Sequence, residues 1–181
     1  MNGSDHDIVP PDPTLFAHLR DFFALPFVVT VIVPFFIYKD QGNYIPEHFL
    51  LQLLGMLFFL PGLALLIYTI VLFGRVGRGT LAPWRPTRQL VITGPYKYCR
   101  NPMISGVFFM LVGESLILHS LNIMVWALLF FILNNFYFIY KEEPGLHRRF
   151  GAAYERYKEH VPRWIPRLTP YEGHKKSLPQ L

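Results

Sequence analysis

Four stretches of this chain are apolar and almost free of charge, over residues 22–38, 49–73, 103–119 and 121–140. A helix rises about 1.5 Å per residue, so about 20 residues cross a hydrocarbon core about 30 Å thick. The second and fourth stretches meet that length. The first and third are short and call for flanking aromatics or local thinning of the bilayer. Buried helices of a soluble bundle would carry a polar face, and these stretches have none. Composition agrees, with 52% of residues hydrophobic and only 16% charged. The expected fold is all-α: a polytopic membrane helical bundle of about four transmembrane helices, with a tight C-terminal hairpin, a cytosolic loop and an amphipathic C-terminal helix.

On this reading the chain divides into six parts. They are a polar N-terminal segment (1–21), two transmembrane helices (22–73), a cytosolic loop (74–102), a transmembrane hairpin (103–140), a cytosolic C-terminal helix region (141–168) and a flexible tail (169–181). With both termini in the cytosol, all of the 17 Lys and Arg except Lys39 fall on the inner side, as the positive-inside rule requires. The net charge of +5 is therefore a topology signal. No basic stripe interleaved with stacking aromatics marks a nucleic-acid surface. A multi-pass membrane protein is expected, in a bacterial inner membrane or a eukaryotic endomembrane. No cleavable signal peptide is expected, because the first residues carry Asp5, Asp7 and Asp12 with Pro10, Pro11 and Pro13. The single cysteine, Cys99, excludes an internal disulfide, and the seven histidines show no ligand spacing, so no metal is expected.

Pro26, Pro34 and the pair Pro61-Gly62 stand inside the first two spans and predict kinks there. Ser120 alone separates the third and fourth stretches, which forces an antiparallel hairpin. After the fourth, a helix is predicted over residues 146–160. Its apolar positions Leu146, Phe150, Tyr154, Tyr157 and Val161 form one stripe, and Pro162 stops it. Such a helix lies along the membrane surface or folds back over the mouth of the bundle.

The hairpin brings together two clusters that are about 40 residues apart in sequence. One runs from Gly94-Pro95-Tyr96 to Arg100-Asn101-Pro102; the other is Glu142-Glu143. Adjacent carboxylates, aromatic rings, an arginine and backbone donors from an irregular loop suit a zwitterionic, partly apolar ligand. Each residue also has a plainer role. Glu142-Glu143 reads equally as a solvated helix end, and Arg100 as a headgroup anchor. Glu114 is an ionisable residue within a span, either functional or neutral and hydrogen-bonded. Asn134 and Asn135 read as interhelical glue, and Trp84, Trp126 and Trp164 as interface or packing aromatics.

At these clusters the sequence resembles a known family. The run Gln89-Leu90-Val91-Ile92-Thr93-Gly94-Pro95-Tyr96-Lys97-Tyr98-Cys99-Arg100-Asn101-Pro102-Met103-Ile104-Ser105-Gly106 is similar to the LVxxGPYxxxRHPxYxG signature of isoprenylcysteine carboxyl methyltransferases and related phospholipid methyltransferases. Glu142-Glu143, Leu146, Phe150-Gly151, Tyr154, Tyr157, Val161-Pro162 and Ile165-Pro166 resemble their EExxLxxxFGxxYxxYxxxVPxxIP tail. The resemblance covers residues 77–166 in two correctly ordered blocks. Three departures stand out: Asn101 replaces the family histidine, Ile104 an aromatic, and Phe138 an arginine. They leave the acceptor open.

The resemblance implies S-adenosyl-L-methionine as cofactor, contacted by Arg88, Gln89, Leu90, Val91, Tyr96, Asn101, Pro102, Met103, Ile104 and Glu142, with Glu143 beside them. Arg100 and Glu142 would carry the catalytic roles. Arg100 would orient an anionic group of the substrate or the cofactor carboxylate, and Glu142 would meet the cofactor's ammonium or ribose. The expected partners are membrane lipids and a lipophilic substrate entering from the bilayer. Two rivals have distinct signatures: a nicotinamide-dependent membrane reductase of the sterol-reductase type, and a non-enzymatic membrane adaptor with a degenerate pocket.

Overall fold

Glycine spacing decides how two helices of the bundle meet. Gly55 and Gly62 stand seven residues apart on one helix, and Gly106 and Gly113 seven apart on another. Two turns of helix place such residues on the same face. In the computed structural model, which describes residues 25–40, 48–76 and 90–173, the two faces meet antiparallel. A Cβ on Gly55 would lie 2.7 Å from the Gly113 carbonyl oxygen, and one on Gly62 would lie 2.8 Å from that of Gly106. Backbones this close exclude any larger residue, the packing mode that lets helices associate without a hydrophobic driving force.

The apolar helix α1 covers Leu25–Lys39. α2 is Phe49–Val76, α3 is Pro102–Ile117 and α4 is Leu121–Tyr137. A π-helical turn, Phe138–Glu142, carries α4 directly into α5, Glu143–Phe150; α6 is Ala152–His160. Among the described residues no strand occurs. Two helices, Phe49–Leu72 within α2 and the continuous run Leu121–Phe150, are long and apolar enough to cross a membrane; α1 and α3 are apolar but shorter. α3 is the central helix. Its Met103, Val107, Met110 and Leu111 form the core with Leu66 of α2 and Ala127 and Phe130 of α4. α2 and α4 turn Leu50, Leu57, Leu60, Leu121, Val125, Ile132 and Phe136 outward, an apolar shell that matches lipid and not water.

Pro61 lies inside α2, which runs through it. Pro34 follows a π-helical turn, Val28–Ile32, in which the Val33 N–H reaches back to the Val28 carbonyl. In that register residue 34 would next bond Val29, but proline has no N–H. Trp126 Nε1 of α4 donates to the Val29 carbonyl instead, at 3.1 Å. The same offset recurs at the other π turn, where Glu143 N–H bonds Phe138 and Pro144 follows.

The hairpin turn is as compact as its sequence demands. His119 adopts φ +51, and the Ser120 Oγ caps α4 by accepting from the Ile123 N–H at 3.3 Å. The single helix expected over 146–160 is two helices. Gly151 divides them with φ +50 and ψ −130, a backbone state essentially confined to glycine. Both halves still present one apolar stripe. Tyr154, Tyr157 and Val161 form a buried cluster against which Leu146 and Phe150 pack together with Leu90 and Ile92 of the loop, so the C-terminal helices fold back over the loop. The N-terminal segment, Trp84, the loop residues Arg88 and Gln89, and the end of the tail lie outside the described residues.

Candidate functional site

The loop enters α3 through a short 3-10 turn, Gly94–Lys97. Gly94 takes φ +55 and sits against α2, where an added Cβ would be 3.0 Å from the Tyr68 hydroxyl and from Leu72. Tyr96 is buried beneath this turn, and its carbonyl accepts from the Tyr157 hydroxyl at 2.6 Å. Burial pushes the Tyr96 phenol far up, with the nearby Cys99 adding to the rise. Burial does the same to Tyr157, with Tyr96 and Cys99 next in weight. Both rings are therefore neutral hydrogen-bonding groups in the physiological range.

Asn101 precedes α3 and is buried. Its carbonyl accepts from the Ser105 N–H at 3.1 Å and from the Ser105 hydroxyl at 3.2 Å. Pro102 starts the helix, where a missing N–H costs nothing. Met103 belongs to the core and Ile104 packs against it. Leu90 packs on Tyr154 and Tyr157, and Val91 beside it is buried.

Glu143 is the hub of the site. Its Oε1 accepts from Arg100 Nη1 at 2.9 Å and from Arg163 Nε at 2.7 Å, while Oε2 pairs with Lys158 Nζ at 3.2 Å. Arg100 Nη1 also donates to the Tyr154 hydroxyl at 3.2 Å. One carboxylate thus joins the loop, the foot of α4, α6 and the segment after it. Such a buried charge is tolerable only because it is paired and hydrogen-bonded. The hairpin does what its short turn implied: Arg100 and Glu143, separated by 43 residues, are in direct contact.

Glu142 differs from its neighbour. Successive residues point about 100° apart on a helix, so it cannot share the hub. Its side chain is 32% exposed, and its ion pair, to Arg149, is 3.7 Å long. The carboxylate is available to a ligand in a way that Glu143 is not. Arg100 is buried with one edge committed to Glu143 and Tyr154; its Nε has no hydrogen-bond partner among the described residues. The buried Arg100 Nε is an open donor for an acceptor group, and the partly exposed Glu142, on another side of the same helix foot, is an open acceptor for a cationic one.

Two contributors, Arg163 and Lys158, were not singled out from sequence. They complete the charge cluster, and Asn135 Oδ1 accepts from Trp164 Nε1 at 2.9 Å and from Arg163 Nη1 at 3.4 Å. The signal for Arg163 and Trp164 was their place between the two prolines of the tail motif. Asn135, expected as interhelical glue, ties α4 to the segment after α6 instead, and Asn134 bonds the Phe130 carbonyl of its own helix. Glu114 stands near the opposite end of α3, apart from this cluster; its Oε2 is buried with no partner among the described residues.

No solved structure matches the chain. The nickel-cobalt-cadmium resistance protein NccN of Alcaligenes xylosoxydans xylosoxydans is 28% identical over 110 residues, 61% of this chain and 51% of that protein. The chain therefore spans about half the length of this curated relative. The family described as phospholipid methyltransferase matches residues 50–153, from α2 through the loop, the hairpin, the acidic pair and α5. That match takes in more than half of the chain and both halves of the Arg100–Glu143 contact, and the chain belongs to this family of membrane methyltransferases.

Proposed function

We propose that this protein transfers a methyl group from S-adenosyl-L-methionine to a lipophilic acceptor that enters sideways from the bilayer. The supporting observation is the division of labour between the two carboxylates: Glu143 is consumed in holding the loop to the C-terminal helices, and the adjacent Glu142 stays partly exposed with only a long ion pair to Arg149. The bound cofactor would supply an activated methyl group on a sulfonium. The protein's part is then alignment of the acceptor and exclusion of water. Glu142 would hold the ammonium or ribose, and the open Nε of Arg100 the carboxylate of the cofactor or an anionic group of the acceptor. Tyr96, Asn101, Pro102, Met103 and Ile104, with Leu90 and Val91, would line the rest.

No side chain in the described cluster is placed as a base free of a cation. A carboxylate or thiolate acceptor needs none, whereas an amine must first lose a proton. The acceptor class on this reading is a prenylcysteine-like carboxylate, a thiol or a lipid headgroup, with the anionic members favoured. The test is transfer of a radiolabelled methyl group to lipid fractions, prenyl thiols and small amphiphiles by the reconstituted protein. Labelling that survives Glu142→Ala undiminished would remove Glu142 from its assigned role. Stabilisation by a reduced nicotinamide nucleotide and not by S-adenosylhomocysteine would replace the methyltransferase with a reductase.

A further inference from the structure

Two of the most exposed apolar side chains lie outside the helices. Ile165 is 79% exposed and Leu168 is 99% exposed. They belong to residues 162–170, a strap that follows α6 and contains Pro162, Pro166 and Pro170. This strap is not a loose tail. Its Pro162 and Arg163 carbonyls accept from the Arg100 and Asn101 N–H groups at 2.9 and 3.3 Å, and its Arg167 N–H donates to Tyr98 at 3.0 Å. The Cys99 thiol donates to the Arg163 carbonyl at 3.1 Å. The exposure of Ile165 and Leu168 is therefore built in.

The depth of the strap follows from Trp164. Its ring lies 4.7 Å from that of Phe131 and 5.9 Å from that of Phe138, and its N–H bonds Asn135. Measured along the helix from Leu121, Phe131 is about 15 Å and Phe138 about 26 Å into a hydrocarbon core about 30 Å thick. The indole thus reaches below the boundary at the end of the bundle that carries the site. Irregular backbone at such a depth must have its polar groups satisfied. Three prolines remove donors, and the pairing with residues 98–101 satisfies others. Arg163 is neutralised by Glu143 at 2.7 Å. Arg167, bonded to the His160 carbonyl and the Thr169 hydroxyl, remains at the exposed level where a guanidinium meets headgroups.

We propose that residues 162–170 form an interfacial anchor, with Ile165 and Leu168 inserted among the lipid acyl chains at the membrane boundary. The partner is the lipid surface itself. On the function proposed above, the anchor would set the site at the depth of the acceptor's polar end, because Arg163 links the strap to Glu143. The anchor can be tested without any methyl transfer. Leu168→Cys in a Cys99→Ser background, which keeps a hydrogen-bond donor to the Arg163 carbonyl, is labelled with an environment-sensitive fluorophore. The protein is reconstituted in phosphatidylcholine vesicles with or without brominated acyl chains. Ile165→Cys gives an independent reading, and Glu159→Cys on exposed α6 is the aqueous control.

The labels at 165 and 168 should be quenched by brominated chains about twofold or more beyond the control, as insertion by several ångströms requires. Equal quenching at all three positions, with full access to aqueous iodide, overturns the anchor. So does an apolar emission that brominated lipid leaves untouched, which would mean that protein covers the strap.

Discussion

Glu142 and Glu143 are identical in chemistry and adjacent in sequence, yet their surroundings give them separate tasks. Removing Glu143 leaves Arg100 and Arg163 facing one another without their counter-ion. Glu143→Ala should therefore cost about 3–5 kcal/mol of stability, read as a lowered melting temperature in detergent. Glu142→Ala removes a long, part-exposed pair of about 0–1 kcal/mol, so the protein should fold normally and lose methyl transfer. Equal melting of the two variants would contradict the assignment. Cys99 offers a pH-dependent check. Burial raises its thiol above the ordinary value, outweighing the Asn101 and Ser105 hydrogen bonds and the Arg100 charge that lower it. The thiolate is the reactive form, and a raised pKa means less of it at any pH below that value. Maleimide labelling near neutral pH should be slow in the native protein, accelerate as pH rises, and become fast on denaturation. Rapid native labelling would mean that the strap opens. The sequence showed a pair of acids and one arginine here; which acid points inward depended on the π turn that re-aims them.

At the scale of elements, two devices shape the bundle. The glycine pairs bring α2 and α3 to backbone contact, so Gly62→Ala should push the helices apart, with an overpacking cost of about 1–3 kcal/mol. Gly145 is a useful contrast. It lies inside α5, and an added Cβ would find its nearest neighbour, the flexible end of Arg149, at 4.0 Å. Gly145→Ala should stabilise the protein by about 0.4–1 kcal/mol, measured by the same melts. The second device is the π turn before a proline. The apolar runs located the four apolar helices to within a few residues, because such runs are long, continuous and free of charge. They did not reveal the π turns, since the widening answers a clash between the proline ring and the preceding turn and leaves no mark on composition. Nor did periodicity reveal the break at Gly151, because the apolar stripe continues across it.

For the whole molecule, ligand binding is the discriminating measurement. A ligand that binds only the folded state at about 100 times its dissociation constant stabilises it by about 2.7 kcal/mol. S-adenosylhomocysteine should produce such a shift in the wild type and a much smaller one in Glu142→Ala. An identical shift in both would place the cofactor elsewhere.

The chain by itself determined its membrane character and the meeting of the loop with the acidic pair. The first follows from apolar stretches too long and too uniform for water, the second from a turn too short to let α3 and α4 diverge. Tertiary structure alone decided which carboxylate became the hub, that Arg163, Lys158 and Asn135 join it, and that Trp126 satisfies the carbonyl Pro34 leaves open. Those outcomes depend on distances between segments far apart in sequence. Such distances are fixed by packing and charge neutralisation, and no local pattern records them.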